Sequence, residues 1–359
     1  MSENSALHKS PRILIFKPSA MGDVILTLPA LRQLRLQYPD AYIAWVVNKP
    51  FIPFLEENPW LDEIIPFDRK AFGKMKNWGK LLGFMKELRQ KKFEIVFDFQ
   101  GLLRSGLISY FSGASHRVGM THAREGSTFF YNWKIQIPKD KTHVSDQYTY
   151  VVSAFHKLYA GETCCPVPMP DEPVAFKITP ETREKVSLKL KEAGWQGEPL
   201  VLIHPGARWE TKRWYPEAYA KLAEALIEKY GVFLLLIGGK EDIPLSEAIH
   251  NHANKVTLKD WTGKTSIQET MALMEKANLV IAHDSGPMHL AGALNIPVAA
   301  IFGPSDPHYS GPRHPHDTVI QAPDIPCAPC FKVHCPGLGH ICMKNLTPEK
   351  VLQSLEKYF

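Results

Sequence analysis

Residues 17–34 read KPSAMGDVILTLPALRQL, and they follow the apolar tetrapeptide ILIF at 13–16. A short β-branched run that stops at a glycine and passes into a helical period reads as the strand, loop and helix that begin a βαβ unit. A carboxylate, Asp23, stands beside Gly22 at that turn. Similar runs recur downstream. YIAWVV (42–47), EIVFDF (94–99) and KIQI (134–137) read as strands of a first unit; LVLIH (200–204), VFLLLIG (232–238), LVIAH (279–283) and VAAIF (298–302) read as strands of a second. Nearly continuous apolar strands separated by helical segments imply parallel sheets covered on both faces. The expectation is an α/β protein of two doubly wound, Rossmann-like parallel-sheet domains facing across a cleft.

The length of 359 residues and the 45% apolar content suit two packed cores. Between the two sets of strands, CCPVPMPDEPVAFKITPETREKV is rich in proline before a helical segment starts near Glu181. It reads as a linker, with domains at 1–175 and 176–345 and a terminal helix over 346–359 that has Thr347 as N-cap and Pro348 at its first position. The start of the chain is polar, without the apolar core of a signal peptide, and no run is long enough to span a bilayer, so a cytoplasmic protein is expected. A net charge of +5 is too mild to argue for nucleic acid. Its placement is uneven, with nine lysines and arginines over 69–92 against Asp68 and Glu87 and with Phe72, Trp78 and Phe84 interleaved. Such a segment is either a solvated helix face or one that attracts anionic ligands or the surface of the inner membrane.

In open parallel sheets ligands bind beyond the carboxyl ends of the strands. Asp23 falls there, beside a helix N-terminus that favours its ionised form, and it can either cap that helix or take a proton from a hydroxyl. HPGARWETKRWYPEAYAKLAEAL (204–226) presents Gly206, Lys212 and Arg213 between a strand and a helix expected over Trp214–Leu226, a plausible phosphate cradle without the spacing of a P-loop. HDSGPMHLAGALNIPVAAIFGPSDP (283–307) places Asp284, Ser285, Gly286 and Pro287 in a tight turn before a small-residue helix expected over Met288–Leu294. Free N–H groups there suit a diphosphate. DWTG adds Thr262 and Gly263 in another loop, and FDFQGLLRSG places Asp98, Gln100 and Arg104 beyond a strand of the first domain. No G-x-G-x-x-G follows a strand and no D-x-D occurs, which counts against a dinucleotide dehydrogenase and against a carboxylate pair holding Mg²⁺.

Together KPSAMGDVILTLPALRQL, HPGARWETKRWYPEAYAKLAEAL, DWTG and HDSGPMHLAGALNIPVAAIFGPSDP resemble, in order and over most of the chain, the family 9 glycosyltransferases, the lipopolysaccharide heptosyltransferases. The resemblance implies a GT-B fold and an inverting transfer of heptose from ADP-heptose to the inner core of lipopolysaccharide, with no cofactor required for catalysis. It makes Asp23 the catalytic base and Lys212 the ligand of the donor diphosphate. Gly206, Arg213, Thr262, Gly263 and the loop Asp284, Ser285, Gly286, Pro287, Met288 and His289 then bind the donor in the second domain. Ser19, Met21, Gly22, Asp98, Gln100 and Arg104 face the acceptor in the first. Ser305 stands where the family frequently has threonine. One carboxylate with a cationic clamp is sufficient for such a transfer, whereas a glycosidase usually needs two carboxylates. A GT-B-like nucleotide-sugar epimerase and a non-catalytic nucleotide-sugar-binding protein are the alternatives.

Cys327, Cys330, Cys335 and Cys342 lie within PCAPCFKVHCPGLGHICM, with His334 and His340 between them. A C-x-x-C pair followed by two more cysteines would suit a structural zinc or an iron–sulfur cluster, and equally a set of reduced packing thiols.

Overall fold

The computed structural model describes residues 10–68, 78–161, 174, 176–337 and 339–359. The chain divides into two compact units, 1–171 and 172–359. Of the basic stretch 69–92, residues 69–77 with Phe72 lie outside the described residues, as do 162–173 and 175 of the proline-rich segment.

The first unit holds a six-stranded parallel sheet built from β1 (Arg12–Phe16), β2 (Tyr42–Asn48), β3 (Glu63–Phe67), β4 (Ile95–Asp98), β5 (His116–Met120) and β6 (Trp133–Ile135), in the order β3-β2-β1-β4-β5-β6. The second repeats that order with β7 (Leu200–His204), β8 (Phe233–Leu236), β9 (Lys259–Asp260), β10 (Leu279–His283), β11 (Val298–Phe302) and β12 (Thr318–Gln321), arranged β12-β11-β10-β7-β8-β9. Every strand pair is parallel. This is the doubly wound order in which the winding reverses beside the first strand of each unit. The crevices that result lie between β1 and β4 and between β7 and β10, and the motifs read from the sequence follow these four strands except DWTG, which follows the edge strand β9.

Burial explains which strands announce themselves. β7, β10 and β11 are buried along their whole length, because helices cover both faces of a parallel sheet. Four further strands, β3, β5, β9 and β12, join the eight expected. β3, β9 and β12 are half-exposed edge strands without a full apolar run. In β5, HRVGM, Gly119 leaves room for the Tyr131 ring, which a Cβ there would meet. The strand expected at 134–137 runs over Trp133–Ile135 instead.

The helix after β1 comes in two pieces, Met21–Ile25 and Leu28–Gln37. Pro29 has no N–H for the carbonyl a turn before it, and the helix breaks there. In the second unit the helix expected at 214–226 runs over Pro216–Tyr230 and closes on Gly231 at φ +61°, a left-handed C-cap position. Thr347 caps a helix over Pro348–Leu355, whose Val351 and Leu355 join the core of the second unit with Trp214 and Leu226. Among the described residues no helix is long and apolar enough to cross a membrane.

Candidate active site

In the first unit the loop leaving β1 is stapled before it reaches the helix. Trp45 Nε1 donates to the Lys17 carbonyl at 3.1 Å and Asn48 N–H to that of Pro18 at 3.0 Å. Lys17 itself turns inward. Its ammonium donates to the Phe99 carbonyl at 3.0 Å and to the Tyr148 hydroxyl at 2.9 Å, and it lies 3.2 Å from Asp23 Oδ1. Burial alone would lower its pKa, but Tyr148 and Asp23 carry it above the ordinary lysine value, so it stays cationic. The other oxygen of Asp23 accepts the Ala20 N–H at 2.8 Å. Asp23 therefore does cap its helix, yet its side chain is 42% exposed while that of Lys17 is 5% exposed. A capping carboxylate paired to a sunken ammonium still offers free lone pairs to solvent.

Across the crevice, β4 leads into a pocket of about 330 Å³ lined by Phe16, Pro18, Ser19, Phe67, Gln100, Leu102, Arg104, Ser105 and Glu125. Ser19, Gln100 and Arg104 are thus brought together. The Gln100 Oε1 is buried there without a hydrogen-bond partner, which marks a place where a ligand hydroxyl or amide could donate. Asp98 lies beneath this pocket, 2% exposed. It accepts the N–H groups of Gln100 at 2.9 Å and Gly101 at 3.1 Å and the Tyr131 hydroxyl at 2.6 Å. Burial raises its pKa despite those bonds. Its geometry is that of a residue holding the Gln100 turn in shape. Met21 and Gly22 sit half-buried in the first turn beside Asp23 and outside the pocket lining.

In the second unit Lys212, from the loop after β7, forms a short ion pair with Asp284, from the loop after β10, and also donates to the Asp284 carbonyl at 3.3 Å. Here the carboxylate is the deeper partner, with side-chain exposures of 17% for Lys212 and 8% for Asp284. Burial by itself would raise the pKa of Asp284, but Lys212 and His289 hold it below the usual carboxylate range. Ser310 Oγ donates to Asp284 Oδ1 at 3.0 Å, and His289 Nε2 lies 3.8 Å from the same oxygen. Lys212 also lies 4.8 Å from the centre of the Trp209 ring. The adjoining helix, Gly286–Ala293, has Pro287 in its first turn and Ser285 as N-cap, and no side-chain hydrogen bond closes that cap. The Ser285 hydroxyl is buried and unpartnered, so hydroxyl and helix N–H groups point to the same anion-sized need.

The remaining residues expected to bind the donor frame these groups. A Cβ at Gly206 or Gly238 would collide with the Asp242 carboxylate, so the glycine at 206 makes room for a side chain of its own protein. Asp242 accepts the Gly239 N–H at 2.9 Å and lies 3.5 Å from His204 Nε2. Arg213 Nε donates to the Ala207 carbonyl at 2.8 Å and shapes the loop. Thr262 is 3% exposed, its N–H held by Asp260 at 2.7 Å, and Gly263 follows at φ +72°. Met288 is buried in the helix.

The four described cysteines are free thiols, and among the described residues no group of three or more His, Cys, Asp or Glu side chains is arranged to hold a metal ion. Burial, helped by the other three thiols, pushes the pKa of Cys342 up to about 11. Their loop braces the loops that carry Pro304 and Lys212. Cys330 and Phe331 N–H groups both donate to the Pro304 carbonyl, at 3.0 and 2.8 Å. Thr211 Oγ1 donates to the Lys332 carbonyl at 2.7 Å, and His340 Nε2 lies 2.6 Å from the Thr211 carbonyl, one residue before Lys212.

Sequence reasoning passed over Lys17, Tyr148, Asp242 and Ser310, and placed His340 only among the cysteines. For Lys17 a signal was present, a lysine directly at the end of an apolar strand inside the motif itself. The others reach the site from distant elements and left none.

The sequence model of glycosyltransferase family 9 (heptosyltransferase) matches residues 81–340. Lipooligosaccharide heptosyltransferase 2 of Haemophilus ducreyi is 28% identical, over 96% of this chain and 99% of its own. Lipopolysaccharide heptosyltransferase 1 of Pseudomonas aeruginosa is 27% identical, over 96% and 97%. Among solved structures, that of the E. coli ADP-heptose lipopolysaccharide heptosyltransferase II superposes with a TM-score of 0.76 at 23% identity, over 97% of this chain and 98% of that one. That likeness establishes the GT-B fold.

Proposed function

The chain belongs to glycosyltransferase family 9 (heptosyltransferase), and from that premise we propose that it transfers heptose from ADP-heptose to the inner core of lipopolysaccharide, with inversion and without a metal. The observation that carries the reading is the polarity of the Lys17–Asp23 pair, a buried cation behind an open carboxylate. Asp23 takes the proton of an acceptor hydroxyl as its oxygen attacks the anomeric carbon. The bond from that carbon to the diphosphate breaks, and ADP leaves with the electron pair. Lys212, the Ser285 hydroxyl and the N–H groups opening the helix at Gly286 stabilise the charge that develops on the leaving diphosphate. Thr262, Gly263 and the loop around Gly206 and Arg213 shape the nucleotide site. Lys17 and Asp284 are positioning residues, each holding its partner's charged group in place.

On the acceptor side, Ser19, Gln100 and Arg104 line the pocket that takes the anionic sugars of the core, and Arg104 suits carboxylates and phosphates because a guanidinium binds them bidentately. Asp98 sets the Gln100 turn from below. The test is ADP release from ADP-heptose, with and without a heptose-deficient lipopolysaccharide core, in wild type and Asp23→Ala. Acceptor-dependent release that the substitution abolishes is the expected result. Release that needs no acceptor would favour an epimerase, and binding of ADP-heptose without any release would favour a non-catalytic binding protein.

A further inference from the structure

The helix Leu103–Phe111 is turned inside out. Its buried side carries Ser105, Gly106 and Ser109, with Ile108 as the one bulky residue. The hydroxyls on that side are satisfied locally, Ser105 Oγ donating to the Leu102 carbonyl and Ser109 Oγ to that of Ser105, both at 2.8 Å. Gly106 is pressed against Phe130 and Ser127, where a Cβ would stand 2.9 to 3.0 Å from their atoms. The outward side carries Leu103, Tyr110 and Phe111, exposed by 43%, 52% and 44%. An ordinary surface helix shows the reverse pattern. The stripe continues off the helix, because the Tyr110 and Phe130 rings lie 6.0 Å apart and the neighbouring Phe129 is 87% exposed.

Cations accompany this apolar face. Arg104 is exposed on it, and the Arg117 guanidinium lies 5.4 Å from the centre of the Tyr110 ring. The Arg89 side chain runs alongside Gly113, just past the helix end. Aromatic rings set among arginines match the boundary between acyl chains and anionic headgroups. Two copies meeting through the same face would bring their arginines together, a like-charge cost that an anionic surface turns into attraction. At its start the stripe meets Leu102 and Arg104 of the 330 Å³ pocket. We infer that this face docks the first unit on an anionic lipid bilayer and so presents the sugar end of a membrane-anchored acceptor to that pocket. The link to the acceptor rests on the function proposed above; the docking surface does not.

The test is co-sedimentation of the full chain with vesicles of phosphatidylcholine alone or mixed with phosphatidylglycerol. Wild type should sediment with the mixed vesicles, and F111S/F129S should lose about tenfold or more in affinity, since each ring removes several buried carbons. Both positions are exposed, and an unchanged thermal melt checks the fold. A separate Phe129→Trp variant should keep binding and shift its emission to the blue when mixed vesicles are added. Wild type left in the supernatant, an F111S/F129S variant that binds as wild type does, or an unshifted tryptophan would each overturn the inference. So would a wild-type dimer that the double variant dissociates while neither protein binds vesicles. Transfer to a core acceptor stripped of its acyl chains should be equal in wild type and F111S/F129S. If that transfer is absent while vesicle binding holds, the proposed function fails and the docking surface stands.

Discussion

Each unit places one lysine–carboxylate pair beside its crevice, and the two pairs are built with opposite polarity. In the first the lysine is sunk and the carboxylate projects; in the second the carboxylate is sunk and the lysine is the more exposed partner. The buried member of such a pair fixes the charge and direction of the other, because an unpaired buried charge is costly. An outward carboxylate is a base, and an outward ammonium is a ligand for anions. The same fold, wound twice in one chain, can thus serve opposite halves of a transfer reaction by reversing which partner faces water.

Breaking the first pair should have the largest effect. Asp23→Asn removes the base while its amide oxygen can still accept the Ala20 N–H, so turnover should fall by about 10² to 10⁴ in a protein that still folds, with a melting temperature lowered because the buried Lys17 ammonium loses its counter-ion; single-turnover ADP release near the wild-type rate would refute the role. Lys212→Met should follow, with a loss of about 10² to 10³ in turnover. Because Lys212 and Asp284 touch, Lys212→Met and Asp284→Asn should be far from additive, and a double-mutant cycle on kcat/KM that closes to zero coupling would break the comparison.

A second contrast is in titration. Burial lowers the pKa of His283, in the second unit, to about 3 from its ordinary 6.5, whereas burial raises that of Asp98 in the first. An unfolded chain takes up a proton below the ordinary histidine value that folded His283 refuses, so its contribution to stability is full above about pH 6.5 and is lost as pH falls toward 3. For Asp98 the folded state binds the proton more readily, and its contribution improves on acidification into the carboxylate range. Mild acid should therefore weaken the second unit through His283 by at most about 1.4 kcal/mol per pH unit. Urea unfolding of wild type and His283→Gln between about pH 7.5 and 5 would read this as a steeper loss in the wild type; parallel curves would contradict it. The smallest effect is expected from His340→Ala, which removes the anchor on the Thr211 carbonyl and should raise KM for the donor by about fivefold, the worth of one hydrogen bond of ~1 kcal/mol. An unchanged donor KM would mean that the cysteine-bearing loop does not hold the Lys212 loop.

Much of this was readable before folding was considered. β7, β10 and β11 are buried from end to end, and their sequences are apolar but for the final His204 and His283, because nothing on either face is wet. β5 was not readable, because His116 and Arg117 sit at its start and Gly119 answers to the Tyr131 ring. In the site, Asp23 and Lys212 stood out by chemistry and by position at strand ends. The reading of Asp98 as an acceptor contact rested on its position and on the family resemblance, and its carboxylate is occupied by Tyr131 and by the turn above it.

Apolar runs, turn residues and helix starts are local and periodic, and they dictate two units of parallel strands and covering helices. The strand order that puts loops at two crevices, the exposed partner of each charged pair, the filling by Asp242 of the space left at Gly206 and the outward apolar side of the helix after Gln100 all come from tertiary contacts. Burial of a side chain depends on residues that arrive from 72 positions away, as Asp284 does for Lys212, or 131 positions away, as Tyr148 does for Lys17. Lys17 and Asp23 share one short stretch, but the groups that bury Lys17 come from far along the chain, and it is that meeting that sets which charge faces water.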